Sequence, residues 1–240
     1  MTGGNIIGNS AVTDVAGGVY IDSKSTFSRT GGKIIGNYAK YSAGVYNEGK
    51  FTMDGGSIEG NVALESAGGV CIVDNGTFTM TGGLITGNVT NGEGGGVCIS
   101  DNGTFNVSGT PVIKDNTNGV TVSNVYLEPG RYVTVIGALT AGAEIRIAYP
   151  YGTAAQFGQN NGKYTLVNSD AACFITDIAH KAAEQKDGKV LQWTDTNAST
   201  SSSAAHSQTT PSAGTPASPA PFIGIIAGLG AAAVLVLRRK

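Results

Sequence analysis

The sequence contains little charge. Only 13% of its 240 residues are Asp, Glu, Lys or Arg, against about a quarter in an average soluble protein. A fold made of ordinary amphipathic helices is therefore not expected, because the solvent side of such helices is rich in charge. The net charge is −2, and the Lys/Arg cluster that a phosphate-binding surface requires is missing ahead of the last three residues. Nucleic acid is thus excluded as a partner.

Cysteine and histidine are also scarce. The three cysteines, Cys71, Cys98 and Cys173, are an odd number without zinc-site spacing, so they predict neither a disulfide framework nor a metal centre. The two histidines, His180 and His206, both lie outside the repeats described below. We predict no catalytic residue, no cofactor and no metal ion in this chain.

Glycine, in contrast, is abundant, and its 37 residues mark a repeat. The opening phrase "MTGGNIIGNS" returns as "MDGGSIEGNV" from Met53 and as "MTGGLITGNV" from Met80. One Asn in each unit gives the period, with spacings of 28, 24, 27 and 28 residues: Asn9, Asn37, Asn61, Asn88 and Asn116. Each unit contains short apolar alternations between Gly-rich turns, which is typical of strands and too short for helices.

Three short strands per unit, turning the same way each time, predict an all-β fold, a parallel β-helix whose coils stack about 4.8 Å apart. We predict about five coils over residues 1–124. The alternation of period two points three columns of side chains inward. They are Phe27, Phe51, Phe78 and Phe105 with Met53 and Met80; Ile6, Ile34, Ile58, Ile85 and Ile113; and Val19, Val45, Val70 and Val97.

The corners of the coil are assigned to glycine and asparagine. Paired glycines supply positive φ angles, and the recurrent Asn both tolerates left-handed geometry and bonds through its amide to the equivalent Asn one coil on. One residue departs from the columns, because Arg29 stands where Met53 and Met80 stand. A buried, unpaired guanidinium is costly, so we expect that strand to be distorted or frayed.

The repeat "FTMTGGLITGNV" followed by "GGGV" resembles the right-handed β-helix repeats of bacterial and archaeal adhesin-like surface proteins, and more distantly the Gly-Gly-Ala-Ile repeats of chlamydial polymorphic membrane proteins. The resemblance covers about residues 1–124, and it implies a right-handed coil and a role in adhesion at the cell surface. Because Met1 falls in the interior Met column, we expect the chain to be the C-terminal part of a longer protein.

The period stops after residue 124, and three further segments are predicted. Residues 125–195 are expected to form a β-rich cap, and the Ser/Thr/Pro/Ala-rich residues 196–220 a disordered linker. Residues 221–240 contain an uncharged apolar run followed by a basic end, which predicts one transmembrane helix with a cytoplasmic tail. This places the β-helix outside the cell. Whether a sortase-like enzyme cleaves the helix stays open.

Two pairs of residues recur at one position of the repeat and are candidate sites. Cys71 and Cys98 both occupy "GGVCI", which brings their α-carbons to about 5 Å, a separation compatible with a disulfide. Tyr20 and Tyr46 occupy the same column in other coils, so an ordinary stack is the alternative. Two acidic residues, Asp74 and Asp101, stack in "DNGT" turns, where they either bind Ca²⁺ or simply form the turn.

A third candidate pair is Glu65 and Glu93, which precede the "GGV" strands about one coil apart and are a conceivable acid/base couple. N-glycosylation sequons occur at Asn75, Asn88, Asn102, Asn106 and Asn197. The function expected is that of a membrane-anchored, adhesin-like protein that binds glycans or proteins of host or neighbouring cells, or matrix, without catalysis. The alternatives are a polysaccharide lyase or hydrolase, built on the β-helix as pectate lyases are, and a purely structural envelope protein.

Overall fold

In the computed structural model, which describes residues 1–148, 156–176 and 181–196, the repeats wind into a parallel β-solenoid of about six turns. Equivalent strands of successive repeats pair in parallel and in register. The predicted β-helix is therefore confirmed, and its right hand stays a prediction. Each repeat contributes four strands, not the three predicted, because a two-residue strand after the corner Asn is too short to show an alternation.

The first four repeats have the same four strands. They are β1 (Asn5–Ile7), β2 (Ser10–Ala11), β3 (Val19–Ile21) and β4 (Thr26–Arg29); β5 (Lys33–Ile35), β6 (Tyr38–Ala39), β7 (Val45–Asn47) and β8 (Lys50–Met53); β9 (Ser57–Glu59), β10 (Val62–Ala63), β11 (Val70–Ile72) and β12 (Thr77–Met80); and β13 (Leu84–Thr86), β14 (Val89–Thr90), β15 (Val97–Ile99) and β16 (Thr104–Gly109).

The parallel stacking continues past residue 124. The later elements are β17 (Val112–Lys114), β18 (Thr117–Asn118), β19 (Thr121–Val122), β20 (Val125–Leu127), β21 (Val133–Leu139), β22 (Glu144–Ala148), β23 (Gln156–Asn160), α1 (Asn168–Ala171), β24 (Phe174–Thr176), β25 (Lys181–Lys186) and β26 (Val190–Asp195). Strands β20, β21 and β23 extend the parallel ladders, and β22 pairs with both β17 and β20. The solenoid is thus longer than the five coils predicted.

Strand β24 pairs in parallel with β22, and β23 pairs on its far edge with the antiparallel hairpin of β25 and β26. Trp193 from this hairpin stacks on Phe157, with ring centroids 4.2 Å apart. The predicted linker and membrane anchor lie outside the described residues from residue 197 onward. Within the part of the chain that the structure describes, no helix is long and apolar enough to cross a membrane.

The three predicted columns form the core. In the Phe column, the rings of Phe51 and Phe78 are 4.6 Å apart and those of Phe78 and Phe105 are 5.1 Å apart, and all three side chains are buried. The Ile and Val columns are buried in the same way from the second repeat onward. In the first repeat the columns are only partly buried, because β1, β3 and β4 are edge strands of their sheets.

A ladder of buried asparagines runs along the corner between the first and second strands. Asn61 Nδ2 donates to Asn88 Oδ1 at 2.8 Å, and Asn88 Nδ2 donates to Asn116 Oδ1 at 2.9 Å. The other amide hydrogen reaches an Ile carbonyl of the preceding repeat, as in the 3.1 Å bond from Asn61 to Ile34. The predicted amide stacking is confirmed. The left-handed backbone expected of these Asn residues is wrong, because it belongs to the residue before each of them, such as Gly60 with φ of 63°.

The ladder ends on a residue that the period does not predict. Asn116 Nδ2 donates to Asn124 Oδ1 at 3.0 Å, although Asn124 follows only eight residues later. The intervening β18 and β19 form an antiparallel pair, which turns the chain back and brings Asn124 to the position of a sixth ladder residue. The ladder therefore continues after the sequence repeat has degenerated.

The expected distortion around Arg29 is wrong. Strand β4 pairs with β8 in regular register, which places Arg29 opposite Met53, and the arginine side chain is fully buried. The strand remains regular because Nη2 donates to the corner carbonyls of Gly31 and Gly32. Its Nε and Nη1 have no hydrogen-bond partner, and burial lowers the pKa of the guanidinium.

Removing one ladder amide is expected to destabilise the fold strongly. Asn61→Ala leaves the backbone N–H and the side-chain amide of Asn37 without their shared acceptor. We expect the free energy of unfolding, measured by urea denaturation, to fall by about 3 kcal/mol. The matched control is Asn9→Ala at the exposed end of the ladder, where only the side-chain donation to Asn37 is lost and the backbone donation remains. Equal losses in the two variants would contradict a cooperative buried ladder.

Completing the Met column is expected to stabilise the fold. Arg29→Met replaces a guanidinium with two unpartnered nitrogens by the residue found at Met53 and Met80. We expect the free energy of unfolding to rise by about 1–3 kcal/mol, because the desolvation cost of the buried charge disappears. Arg29→Lys, which retains a buried charge, is the control and is expected to give no gain. A less stable Met variant would show that the bonds to the glycine carbonyls outweigh this cost.

Candidate functional site

The outer surface of the third strands carries a row of tyrosines and cysteines. In β3, β7, β11, β15 and β20 the first and third residues face the core, so the middle residue faces outward. The register places these middle residues directly beside one another from repeat to repeat. We call them the outer row, which consists of Tyr20, Tyr46, Cys71, Cys98 and Tyr126.

Two stacked tyrosines form the exposed end of the outer row. The rings of Tyr20 and Tyr46 are 5.7 Å apart and inclined by 12°, and Tyr20 is 50% exposed. The hydroxyl of Tyr20 donates to Glu48 Oε2 at 2.9 Å, which fixes the direction of its ring. Beside Tyr20 lies an open depression of about 410 Å³, lined by Ala11, Asp14, Val15, Ala16, Tyr20 and Glu48.

A second depression, of about 230 Å³, lies beside Tyr46 and shares Val15 with the first. It is lined by Val15, Tyr41, Tyr46, Ser66, Cys71, Val73 and Ser100. Together with the tyrosine pair, the two depressions make one elongated surface along the axis of stacking. That surface offers apolar ring faces beside hydroxyl and carboxylate groups.

The two cysteines of the outer row are covered. Cys71 and Cys98 are 3% and 6% exposed, and they form a small apolar cluster with Ala67 and Val73, separate from the main core. Tyr46 and Tyr126 pack against this cluster from the two sides. Both thiols are free in the structure. Their predicted position side by side is confirmed by the pairing of β11 with β15.

Carboxylates give the outer row a negative potential. The hydrogen bond to Glu48, together with burial, raises the pKa of Tyr20, and burial raises the pKa of Tyr46 to about 12. The carboxylates that act on the tyrosines and thiols of the row are Asp22, Glu48, Asp74, Glu93, Asp101 and Glu128. The described residues that line the two depressions include no Lys or Arg. An anionic ligand is therefore disfavoured at the first depression, which is lined by Asp14 and Glu48.

The structure places the candidate acid/base couple out of register. Gly92 packs so closely against the Glu65 carbonyl that a side chain at this position would collide with it. Gly92, and not Glu93, therefore stacks over Glu65. The Glu65 carboxylate lies 3.7 Å from the Lys40 ammonium, which in turn lies 4.7 Å from the centroid of the Tyr41 ring. Glu65 is thus engaged with a cation of the preceding repeat.

The "DNGT" aspartates have a structural role in their turns. Asp74 and Asp101 adopt φ of 49° and 50°, the left-handed conformation that short polar side chains tolerate. Within the described ranges, no group of three or more His, Cys, Asp or Glu residues is placed to hold a metal ion. The backbone N–H of Asp101 donates to Glu128 Oε2 at 2.8 Å, and this hydrogen bond joins the turn to the next repeat.

The sequons differ in accessibility. Asn75 and Asn102 are exposed in their turns, and Asn106 is partly buried on β16. Asn88 is fully buried in the asparagine ladder, so this sequon is inaccessible in the folded chain. Asn197 lies outside the described residues, as does His206.

Several contributors to the site were not predicted. Glu48 and Tyr41 lie in turns of the second repeat, at positions where the other repeats have different residue types, so no column indicates them. The structural role of the buried Asp170, which lies near the end of the solenoid and outside the outer row, was not predicted either. Its Oδ1 accepts from Leu139 N and its Oδ2 from the Tyr164 hydroxyl, both at 2.9 Å, which joins α1 to β21. A single non-repeated aspartate leaves no sequence signal for such a role.

Comparison with protein-family models, with curated proteins and with solved structures finds no match. The pairing of its strands defines the chain as a parallel β-solenoid.

The pKa of Tyr46 provides a test of the outer row. A folded-state pKa raised to about 12 means that the folded chain holds this proton more tightly than the unfolded chain, whose tyrosines ionise near pH 10. We therefore expect the stability from this group to be complete below about pH 10 and to be lost as the pH rises toward 12. Phenolate absorbance and stability, followed together, measure both effects.

The control for this titration is Tyr46→Phe. It retains the stacked ring, and the late phenolate transition is expected to disappear while the other tyrosines titrate as before. A wild-type chain whose tyrosines all ionise near pH 10 would contradict the partial burial that raises the pKa of Tyr46.

Proposed function

We propose that the chain is an adhesin-like protein that binds glycans without catalysis through the outer row. The observation that carries the proposal is the stacked pair of tyrosine rings, the exposed Tyr20 and the partly buried Tyr46, each of which lines one of the two depressions. Aromatic faces give large, rigid contact areas at a low entropic cost, and neighbouring hydroxyl and carboxylate oxygens accept hydrogen bonds from sugar hydroxyls.

The charge of the surface narrows the class of glycan. The carboxylates of Asp14 and Glu48 lie in the first depression, and Asp22 and Asp74 act on Tyr20 from the adjoining turns. A uronate or sulfated chain would meet this negative potential unfavourably, whereas a neutral or amino-bearing chain would not. The same charge weighs against a lyase or hydrolase of acidic polysaccharides, the enzymatic alternative.

The geometry of a solenoid suits many weak contacts. A rigid array of strands about 4.8 Å apart presents its binding groups at fixed intervals, so several weak contacts add in avidity. We further propose that the display is at the cell surface. The support is compositional: the Ser/Thr/Pro/Ala-rich stretch 196–220 gives reach, and the apolar run with a basic end at 221–240 has the character of a membrane anchor.

The proposal is tested by binding of the full chain to an array of neutral, amino-bearing and acidic glycans. We expect binding among the first two groups and none to the acidic group. The double change Tyr20→Ala and Tyr46→Ala is expected to weaken binding about tenfold or more, the loss typical of removing central aromatic contacts. The pKa test above does not depend on this outcome.

The matched control is Tyr38→Ala. Tyr38 lies on β6, in the sheet that the second strands of the repeats form, and it lines neither depression. We expect this variant to bind like the wild type. Binding that survives the double change, or that falls equally in the control, would remove the outer row as the glycan site. No binding to any array member would favour the purely structural envelope role.

A further inference from the structure

Cys71 and Cys98 are arranged for reaction with each other. They are directly opposed on β11 and β15, and both side chains point to the outer side of the sheet. Directly opposed residues on neighbouring strands have α-carbons about 4.8 Å apart, within the range of roughly 4.4–6.8 Å that disulfides span. The cross-link would thus require no change of register.

The two thiols have unequal surroundings. Cys71 lines the depression beside Tyr46, and its Sγ lies 3.5 Å from the Ser66 hydroxyl. Cys98, although covered to a similar degree, is not among the residues that line this depression. A reagent entering the depression therefore meets Cys71 first.

The pKa values of the two thiols also favour Cys71 as the more reactive one. Hydrogen bonds from Cys98, Ser66 and the Ala67 backbone lower the pKa of Cys71 against the effect of its burial. The pKa of Cys98 is raised, first by its hydrogen bond to Cys71 and then by burial. Since the thiolate is the nucleophile in thiol–disulfide exchange, Cys71 is the attacking member and Cys98 the resolving member of the pair.

We propose that Cys71 and Cys98 form a redox-active dithiol that reacts with low-molecular-weight disulfides through the depression beside Tyr46. The Cys71 thiolate attacks one sulfur of the small disulfide, forming a mixed disulfide and releasing one small thiol. Cys98 then loses its proton and attacks Cys71 Sγ, forming the Cys71–Cys98 bond and releasing the second small thiol. Two protein thiols are oxidised, and one small disulfide is reduced to two thiols.

The product would fasten the third repeat to the fourth along the outer row. The bond closes the chain from residue 71 to residue 98, which is one repeat of the solenoid, and it reduces the freedom of the unfolded chain. Cys173 is not positioned to take part, because its Sγ contacts the Ser169 carbonyl near α1. Burial raises the pKa of Cys173, which further slows its reaction.

The test is incubation of the native full chain with oxidised glutathione, followed by thiol counting in denaturant and by intact mass. We expect the wild type to lose the mass of two hydrogen atoms and to retain one free thiol, that of Cys173. The midpoint of thermal unfolding is expected to rise by about 5 °C or more, and to return on reduction. Cys173→Ser is the matched control and should behave as the wild type with no thiol left.

Two further variants test the assigned order of attack. Cys98→Ser is expected to retain one glutathione on Cys71, because the resolving thiol is absent. Cys71→Ser is expected to gain little or no glutathione, because the remaining outer-row thiol does not line the depression beside Tyr46. A wild type that retains three free thiols, or that accumulates the mixed disulfide without resolving it, would overturn the proposal. So would preferential modification of Cys98 in Cys71→Ser.

Discussion

The buried amide ladder at the corner is the interaction on which the rest of the solenoid depends. Each Asn in the interior of the ladder, such as Asn61, both accepts from the repeat before it and donates to the repeat after it, in a region that water does not reach. Buried amides are tolerated only when their hydrogen bonds are satisfied, and a shift of one residue would leave several of them unpaired. The ladder therefore fixes the register of every strand that follows the corner.

Fixed register determines what the surface can do. Because each repeat adds its side chains directly beside those of the last, a residue type at one position becomes a row along the solenoid. In the core this produces the continuous Phe, Ile and Val columns. On the outside it brings Tyr20 beside Tyr46 and Cys71 beside Cys98, although 26 and 27 residues of chain separate the members of each pair. A surface site on such a fold is therefore made of side chains from the same position of successive repeats.

The repeat was enough to predict the columns, because the same residue types recur at the same positions of each repeat. It did not predict what happens where the period fails. Asn124 joins the ladder only because an antiparallel turn returns the chain to the corner, and Arg29 fits the Met column because carbonyls of a nearby turn accept its hydrogen bonds. Both outcomes depend on backbone geometry around the residue, which identity and spacing do not specify.

The sequence by itself determined the parallel coil, its core and the neighbouring positions of the paired residues of the outer row. The tertiary structure alone decided which side chains of the outer row are exposed and which are covered. The flanking turns expose Tyr20, bury the two thiols, and place Gly92 rather than Glu93 over Glu65. The physical reason is that strand register follows from repeated apolar and amide contacts, whereas the turns differ in length and composition between repeats, so their packing is set only when the whole solenoid has formed.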